Sequence, residues 1–329
     1  MASLIPTNVK HLSAKGNQPS EKISQLPDKV KIVEVGPRDG LQNEIEVSLN
    51  DKVSLVNMLS HTGLTMIESG SFVSPKWVPQ MANSSELFQR IKRSHGVTYS
   101  ALTPNLIGLN AAISANVDEI AIFGSASESF SRKNINCSIS ESLRQFEPVV
   151  TQALAAGLPV RGYISCTLGC PYEGYISINK VAKVAQQLHD MGCYQISLGD
   201  TVGVGTPEAV KAMINAVSQH VPIDNLAVHF HDTYGQALAN IYAALQLGIH
   251  VIDSAVAGLG GCPYAQGASG NVATEDMVYM LNGLGIESGV DLNELIAAGN
   301  FICQRLNRAN GSKVALAYPT AQARFQSLI

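Results

Sequence analysis

The sequence contains no run of about 18 apolar residues, the length that a membrane-spanning helix needs. It also lacks an excess of basic charge, because 22 Lys and Arg residues stand against 26 Asp and Glu residues and the net charge is -4. A protein that neutralises phosphates along a nucleic acid needs a basic surface. We therefore expect neither a membrane protein nor a nucleic-acid-binding protein, and a small-molecule substrate is the more natural partner.

The chain also lacks an apolar signal segment at its start and two cysteine pairs at zinc-finger spacing. Its six cysteines are spread along the chain, which favours reduced intracellular thiols over a disulfide framework. Cys166 and Cys170 have the spacing of one metal-binding pair, but without a second pair we interpret them as structural residues.

Residues 1–28 lack hydrophobic periodicity and contain no arginine, whereas transit peptides are usually rich in arginine. We predict a mobile N-terminal arm over residues 1–28 and a cytoplasmic location. The alternative location is the mitochondrial matrix, if the arm is a trimmed or atypical transit segment.

From Val30 onwards, short β-branched runs alternate with longer segments of helical spacing. Eight strands are predicted: Lys31–Val35, Thr65–Glu68, Val97–Ala101, Glu119–Phe123, Val160–Ser165, Tyr194–Leu198, Leu226–His231 and Val251–Val256. Seven helices are predicted between them: Leu49–His61, Ser84–Ser94, Leu106–Asn116, Ser140–Ala156, Ile178–Met191, Pro207–His220 and Tyr234–Leu247. Eight such units predict an α/β protein, a (β/α)8 TIM barrel with extra C-terminal helices.

The barrel is expected to span residues 29–310, followed by a C-terminal tail over residues 311–329. A doubly wound open sheet is the alternative fold, but it needs a division into two halves and no linker is visible.

His229 and His231 end an apolar run at the seventh strand. Side chains at positions i and i+2 of a strand point to the same face, so both imidazoles can enter one cavity and bind a divalent cation. Two histidines that only make hydrogen bonds at a strand end are the alternative interpretation.

A TIM barrel carries its chemistry at the carboxyl ends of its strands. Polar residues follow five of the predicted strands: Arg38 and Asp39, Glu68, Asp200, the two histidines, and the glycine-rich loop Gly258–Asn271. Each has a simpler interpretation, such as a surface ion pair for Arg38 and Asp39 or loop caps for Glu68 and Asp200. Their coincidence at five strand ends favours a functional site.

Four long motifs resemble the 3-hydroxy-3-methylglutaryl-CoA lyases: Val33–Glu44, Ser71–Gln80, His229–Asn240 and Gly258–Asn271. The resemblance extends from about Val30 to Val314. It implies cleavage of an acyl-CoA substrate, 3-hydroxy-3-methylglutaryl-CoA, to acetyl-CoA and acetoacetate. It also implies a homodimer with the helices after Asp291 as a candidate interface; the alternative role of these helices is to close the bottom of the barrel.

The resemblance implies Mg²⁺ or Mn²⁺ as cofactor, held by Asp39, His229, His231 and Asn271. Two imidazoles, a carboxylate and an amide oxygen suit such an ion and leave positions open for a bidentate substrate.

The resemblance also implies four catalytic residues. Arg38 binds substrate and stabilises the enolate oxygen, and Cys262 supplies or steers a proton. Glu68 and Asp200 fit supporting or proton-relay roles, as does Asp39 if it doubles as the base, and the general base stays unassigned.

Two other functions are weighed against the lyase. A Claisen-type synthase that condenses acetyl-CoA with an α-keto acid shares Arg38-Asp39-Gly40 and the two histidines, but the Cys262 loop resembles the lyases. A non-catalytic barrel would be expected to have lost some of the polar residues at its strand ends, and none is visibly missing.

Overall fold

The computed structural model describes residues 26–260 and 270–318. Its eight strands are β1 Lys31–Glu34, β2 Met66–Ser71, β3 Thr98–Leu102, β4 Glu119–Ser125, β5 Val160–Ser165, β6 Gln195–Asp200, β7 Leu226–Phe230 and β8 Val251–Ser254. The helices are α1 Leu49–Leu59, α2 Ser84–Arg90, α3 Leu106–Ser114, α4 Glu128–Ile135, α5 Ile139–Ala155, α6 Ile178–Asp190, α7 Pro207–Val217, α8 Ala237–Leu245, α9 Thr274–Leu284 and α10 Leu292–Arg305.

All eight strands are parallel and pair in chain order, and β1 pairs with β8 to close the barrel. The predicted (β/α)8 fold is confirmed, and closure of the sheet excludes the doubly wound alternative. The strands are buried on both faces, which explains their nearly continuous apolar runs. In the described part of the chain, no helix is both long and apolar enough to cross a membrane.

The predicted boundaries differ from the structure at three informative places. Strand β2 continues beyond Glu68 to Ser71, with a shift of register against β3. Helix α5 begins at Ile139 because Ser138, not a later serine, caps it in a capping box with Glu141. Helix α4 between β4 and α5 was not predicted, since its eight residues are mostly polar.

Helix α10 follows Asp291, which caps it by accepting hydrogen bonds from the backbone N–H groups of Asn293 and Glu294. Leu295, Ala298 and Ile302 on one side of the helix are buried, and the helix packs against α1. The extra C-terminal helices are therefore part of the helical layer around the barrel.

Buried Glu34 ties the first strand to the segment after the last one. One carboxylate oxygen accepts hydrogen bonds from the backbone N–H groups of Gly36 and Val256, both at 2.8 Å, and the other accepts from the Thr274 hydroxyl at 2.7 Å. Burial raises the pKa of Glu34 to about 7 despite these hydrogen bonds. The connections that leave β1 and β8 are thus held together where the strands end.

Glu275 holds the same region from α9, since both of its carboxylate oxygens accept from the backbone N–H of Ala257, at 3.0 and 2.9 Å. Ala257 has a φ of 57°, a left-handed conformation that costs energy for a residue with a Cβ. Burial raises the pKa of Glu275 to about 8. Glu275 is therefore mainly protonated at neutral pH, where it contacts the turn after β8.

This raised pKa predicts a loss of stability as the pH increases. The folded protein keeps the Glu275 proton up to about pH 8, whereas the unfolded chain releases it near its ordinary pKa of 4.5. The free energy of unfolding should fall by about 1.4 kcal/mol per pH unit from this one group between those values. We expect Glu275→Gln, which cannot ionise, to remove about 3 kcal/mol of that fall between about pH 5.5 and 8.5. Urea unfolding of the parent and of Glu275→Gln at several pH values measures this difference. If the free energy of unfolding changes equally with pH in both proteins, the prediction is contradicted.

Candidate active site

Arg38 lies at the centre of a buried ionic cluster at the carboxyl end of the barrel. It sits in a π-helical turn, Gly36–Gly40, directly after β1. Its Nε and Nη2 contact Oε2 of Glu68 on β2 at 2.6 and 2.5 Å, and its Nη1 donates to Oδ1 of Asp39 at 2.7 Å. The interpretation of Arg38 and Asp39 as a surface ion pair, and of Glu68 as a loop cap, is therefore wrong.

Burial and charge act against each other in this cluster. Burial disfavours the charged form of Arg38, but the carboxylates of Glu68 and Asp39 outweigh it and hold the guanidinium pKa above its ordinary value. Burial likewise opposes ionisation of Asp39, but Arg38 and the neighbouring imidazoles hold its pKa well below the ordinary range. For Glu68, burial outweighs Arg38 and the pKa is raised. Asp39 and Glu68 thus contact the same arginine, but their pKa values are shifted in opposite directions.

The two histidines lie beside Asp39. Their ring centroids are 5.5 Å apart, and Nε2 of His229 is 3.8 Å from Oδ2 of Asp39. One potential ligand atom from each of the three residues lies within 4.8 Å of the other two. The spacing of the histidines therefore brings both imidazoles to one site, as the strand periodicity predicted, although His231 lies just beyond the end of β7.

The His231 ring has an unpaired nitrogen among the described residues. Its Nδ1 is buried and, among the described residues, makes no hydrogen bond. Burial and the neighbouring His229 lower its pKa to about 4, so the ring is neutral at physiological pH. Burial lowers the pKa of His229, but its hydrogen bond to Asp253 and the charge of Asp39 outweigh burial and raise it. A divalent cation binds the neutral form of each imidazole, beside an ionised carboxylate. Asp39, His229 and His231 therefore fit a metal site.

Asn271 reaches the same cluster through a short bridge between residues 231 and 271. Its side-chain nitrogen donates to Oδ2 of Asp39 at 2.8 Å and to the Leu259 carbonyl at 3.1 Å. To bind a metal, the Asn271 amide must rotate by half a turn so that its oxygen faces the ion. The rotation exchanges the positions of the amide oxygen and nitrogen, which are nearly equal in size. The structure thus brings the fourth predicted ligand to the site with its nitrogen facing Asp39.

Asp200 organises the loop that follows β6. Its two carboxylate oxygens accept hydrogen bonds from the backbone N–H groups of Gly203, Val204 and Gly205 at 2.8 to 3.3 Å. Burial raises its pKa, and electrostatic interaction with His229 and the backbone hydrogen bonds partly offset this. The loop-cap interpretation of Asp200 therefore agrees with the geometry, next to the histidine cluster.

The predicted proton donor, Cys262, lies outside the described residues. The described residues before it pack against the metal-site loop, since a Cβ placed on Gly40 would lie only 2.7 Å from Cβ of Leu259. A Cβ on Gly260 would likewise lie 2.9 Å from the Asn271 side-chain nitrogen. Glycine at both positions allows the loops after β1 and β8 to meet at Asp39.

Three residues of the site were missed at the level of sequence: Arg161 and Tyr163 on β5 and Asp253 on β8. The Tyr163 ring lies 5.5 Å from the Arg38 guanidinium carbon and 4.9 Å from that of Arg161, and it meets His229 edge to face. Oδ2 of Asp253 lies within hydrogen-bond distance of Nδ1 of His229, at 3.3 Å. A charged residue within a strand predicted to be buried was the available signal, because such a charge needs a partner.

The sequence profile described as HMGL-like matches residues 29–302 of this chain. The chain belongs to the HMGL-like family. It is 58% identical over 318 residues to the protein named hydroxymethylglutaryl-CoA lyase, mitochondrial, of Pongo abelii, covering 96% of this chain and 98% of that protein.

Solved structures of proteins named as lyases of this kind share the fold. The hydroxymethylglutaryl-CoA lyase of Pseudomonas aeruginosa superposes with a TM-score of 0.89 at 58% identity, covering 90% of this chain and 99% of that one. An HMG-CoA lyase of Acinetobacter baumannii, in complex with coenzyme A and 3-methylmalate, gives 0.84 at 37% identity over 88% of this chain and 95% of that one.

The predicted cytoplasmic location is wrong by comparison with the family. The Pongo abelii relative is named mitochondrial, although a Rattus norvegicus relative, 60% identical over 91% of this chain and 88% of its own length, is named cytoplasmic. The prediction relied on the absence of arginine from residues 1–28, and the composition of so short a segment does not determine the compartment.

Proposed function

We propose that this protein is a hydroxymethylglutaryl-CoA lyase, which cleaves 3-hydroxy-3-methylglutaryl-CoA to acetyl-CoA and acetoacetate. The observation that carries the proposal is the buried cluster of Arg38, Asp39, Glu68, His229 and His231 at the carboxyl end of the barrel. It occurs in a chain that is similar over nearly its whole length to proteins named for this activity.

The proposed cofactor is Mg²⁺ or Mn²⁺, with Asp39, His229 and His231 as ligands and Asn271 as the fourth after rotation of its amide. Mixed carboxylate, amide and imidazole donors without a thiolate suit such ions. When bound, the cation supplies Lewis acidity that lowers the pKa of an alcohol in contact with it.

The residues of the chain manage one proton and one negative charge. A carboxylate takes the proton of the C3 hydroxyl and becomes a carboxylic acid. The C2–C3 bond then breaks as C3 becomes the ketone of acetoacetate, and its electron pair passes to the thioester enolate. Glu68 and Asp200 are proposed for the proton relay because burial raises their pKa values towards neutrality. Asp39, whose pKa is lowered, suits a ligand better than a base.

The enolate then needs stabilisation and a proton at C2. Arg38 is proposed to stabilise the enolate oxygen, since its guanidinium is buried, fixed by two carboxylates and permanently charged. Cys262, on the glycine-rich loop, is proposed to deliver the proton. The proton taken from the hydroxyl and the proton given to C2 balance, so the reaction needs no external acid or base.

Metal removal tests this function. Purified protein should release acetoacetate from 3-hydroxy-3-methylglutaryl-CoA, lose this activity in EDTA and regain it with Mg²⁺ or Mn²⁺. Asp39→Asn should fail to regain it, whereas Asp118→Asn, at an exposed ion pair with Arg93, should behave as the parent. If the protein binds metal and releases no acetoacetate, the proposal is contradicted and condensation of acetyl-CoA with α-keto acids becomes the reaction to assay.

We also propose that the protein is a homodimer that binds an acyl-CoA. Light scattering after gel filtration measures the mass directly, against 34.9 kDa for one chain. A single species of that mass at micromolar concentration would contradict the dimer without affecting the proposed activity.

A further inference from the structure

A second buried ionic cluster lies inside the barrel, next to the metal site. Arg161 on β5 and Asp253 on β8 are fully buried and form a two-pronged ion pair, with Nη1 to Oδ2 at 3.0 Å and Nη2 to Oδ1 at 2.7 Å. Nε of Arg161 also donates to the Gln195 side chain on β6 at 2.8 Å. An arginine held at three nitrogens fixes the orientation of its carboxylate partner.

One oxygen of Asp253 connects this pair to the metal site. Besides Arg161, its Oδ2 accepts from the Ser197 hydroxyl at 2.7 Å and lies 3.3 Å from Nδ1 of His229. A buried carboxylate with three donors around one oxygen has little freedom to move. The position of Asp253 is therefore determined by β5 and β6 as well as by its own strand.

The contact also determines which nitrogen of His229 carries its proton. A carboxylate only accepts hydrogen bonds, so Nδ1 must be the donor, and the lone pair of the neutral ring is then on Nε2. Nε2 is the nitrogen that faces Asp39, at 3.8 Å. His231 differs, since its Nδ1 makes no hydrogen bond among the described residues.

We propose that Asp253, held by Arg161 and Ser197, is a positioning residue that fixes the ring and the tautomer of His229 so that Nε2 is presented to the metal. The inference rests on the proposed metal site of the lyase. An outer carboxylate of this kind orients an imidazole ligand and makes it more basic, and its loss typically weakens metal binding by about 10–100-fold. Among the described residues, Asp253 is bonded to His229 and to none of the other proposed metal ligands, so its effect on the metal would pass through His229.

Two measurements on the full-length protein test the proposal. In metal-free protein labelled with ¹⁵N-histidine at alkaline pH, NMR should show His229 protonated at Nδ1, with the signal assigned by its loss in His229→Gln. In Asp253→Asn this tautomer should lose its preference. Mn²⁺ binding, followed by the EPR signal of the free ion, should weaken by about 10–100-fold in the same variant.

Ser197→Ala keeps the Arg161–Asp253 ion pair and removes the hydroxyl that donates to Asp253. It therefore tests the positioning role of Asp253 even if Asp253→Asn does not fold. We expect it to weaken Mn²⁺ binding by about 3–10-fold, less than loss of the carboxylate itself. Glu119→Gln is the matched control, because this buried carboxyl group accepts a hydrogen bond from the Tyr194 hydroxyl and is not bonded to His229 in the described structure. It should bind Mn²⁺ as the parent does.

The outcomes separate this inference from the proposed function. A parent protein that binds Mn²⁺ without cleaving substrate contradicts the lyase and leaves the positioning role standing. If Asp253→Asn keeps the Nδ1 tautomer and the parent affinity, the inference is overturned. If Asp253→Asn does not fold, a Ser197→Ala variant that matches the parent in both measurements overturns it.

Discussion

Replacing Arg38 by lysine is expected to lower kcat by about 10²–10³-fold, the effect of removing one preorganised donor from a developing oxyanion. Lysine keeps the positive charge, so the buried Glu68 carboxyl is not left without a cation. It has a single nitrogen, however, which cannot reproduce contacts that now run through three nitrogens to Glu68 and Asp39. The loss should therefore reflect geometry at the reacting centre. Steady-state kinetics with 3-hydroxy-3-methylglutaryl-CoA measure it.

Arg93→Lys is the matched control for this change. Arg93 also donates to both oxygens of a carboxylate, that of Asp118, at 2.9 Å each. This pair is substantially exposed, because the two side chains are 33% and 42% accessible. Exposed pairs contribute about 0–1 kcal/mol, and this one lies outside the cluster. The kcat of Arg93→Lys should equal that of the parent. A kcat for Arg38→Lys within about threefold of the parent would remove Arg38 from the proposed enolate-binding role.

The barrel was predictable because its signals are local and repeated. Each buried parallel strand reads as a short β-branched run, and eight repeats of strand and helix leave few topologies. The ends of elements were less predictable, since they depend on side-chain contacts such as the Ser138 cap of α5. The register shift that extends β2 beyond Glu68 depends on pairing with β3, which no local pattern encodes.

The site was predictable to the extent that the fold positions it. Arg38 follows β1, while Glu68 and His229 lie within β2 and β7, and the barrel geometry brings the three together. What could not be predicted is which atoms meet. The sequence gives no indication that Asn271 turns its nitrogen to Asp39, or that Asp253 reaches across the barrel interior, because both depend on the packing of side chains from distant strands.

Replacing Cys262 by serine distinguishes the role of the proposed proton donor from that of the proposed metal ligands. Cys262→Ser is expected to lower kcat by about 10²–10⁴-fold, the usual contribution of a positioned acid, because an alcohol is a far weaker acid than a thiol. Metal binding should be unchanged, since the fitted ligands are Asp39, His229 and His231. Acetoacetate release and Mn²⁺ binding by EPR, measured on the same preparation, give both quantities.

His231→Ala supplies the contrast. It removes a neutral imidazole whose buried Nδ1 has no hydrogen-bond partner in the described chain, and the metal loses a proposed ligand. Mn²⁺ affinity should fall by more than the roughly 100-fold that loss of an outer partner can cost. Raising the Mn²⁺ concentration should restore part of the activity of His231→Ala and none of that of Cys262→Ser. If added Mn²⁺ rescues Cys262→Ser, the thiol acts through the metal site and the proton-donor role fails.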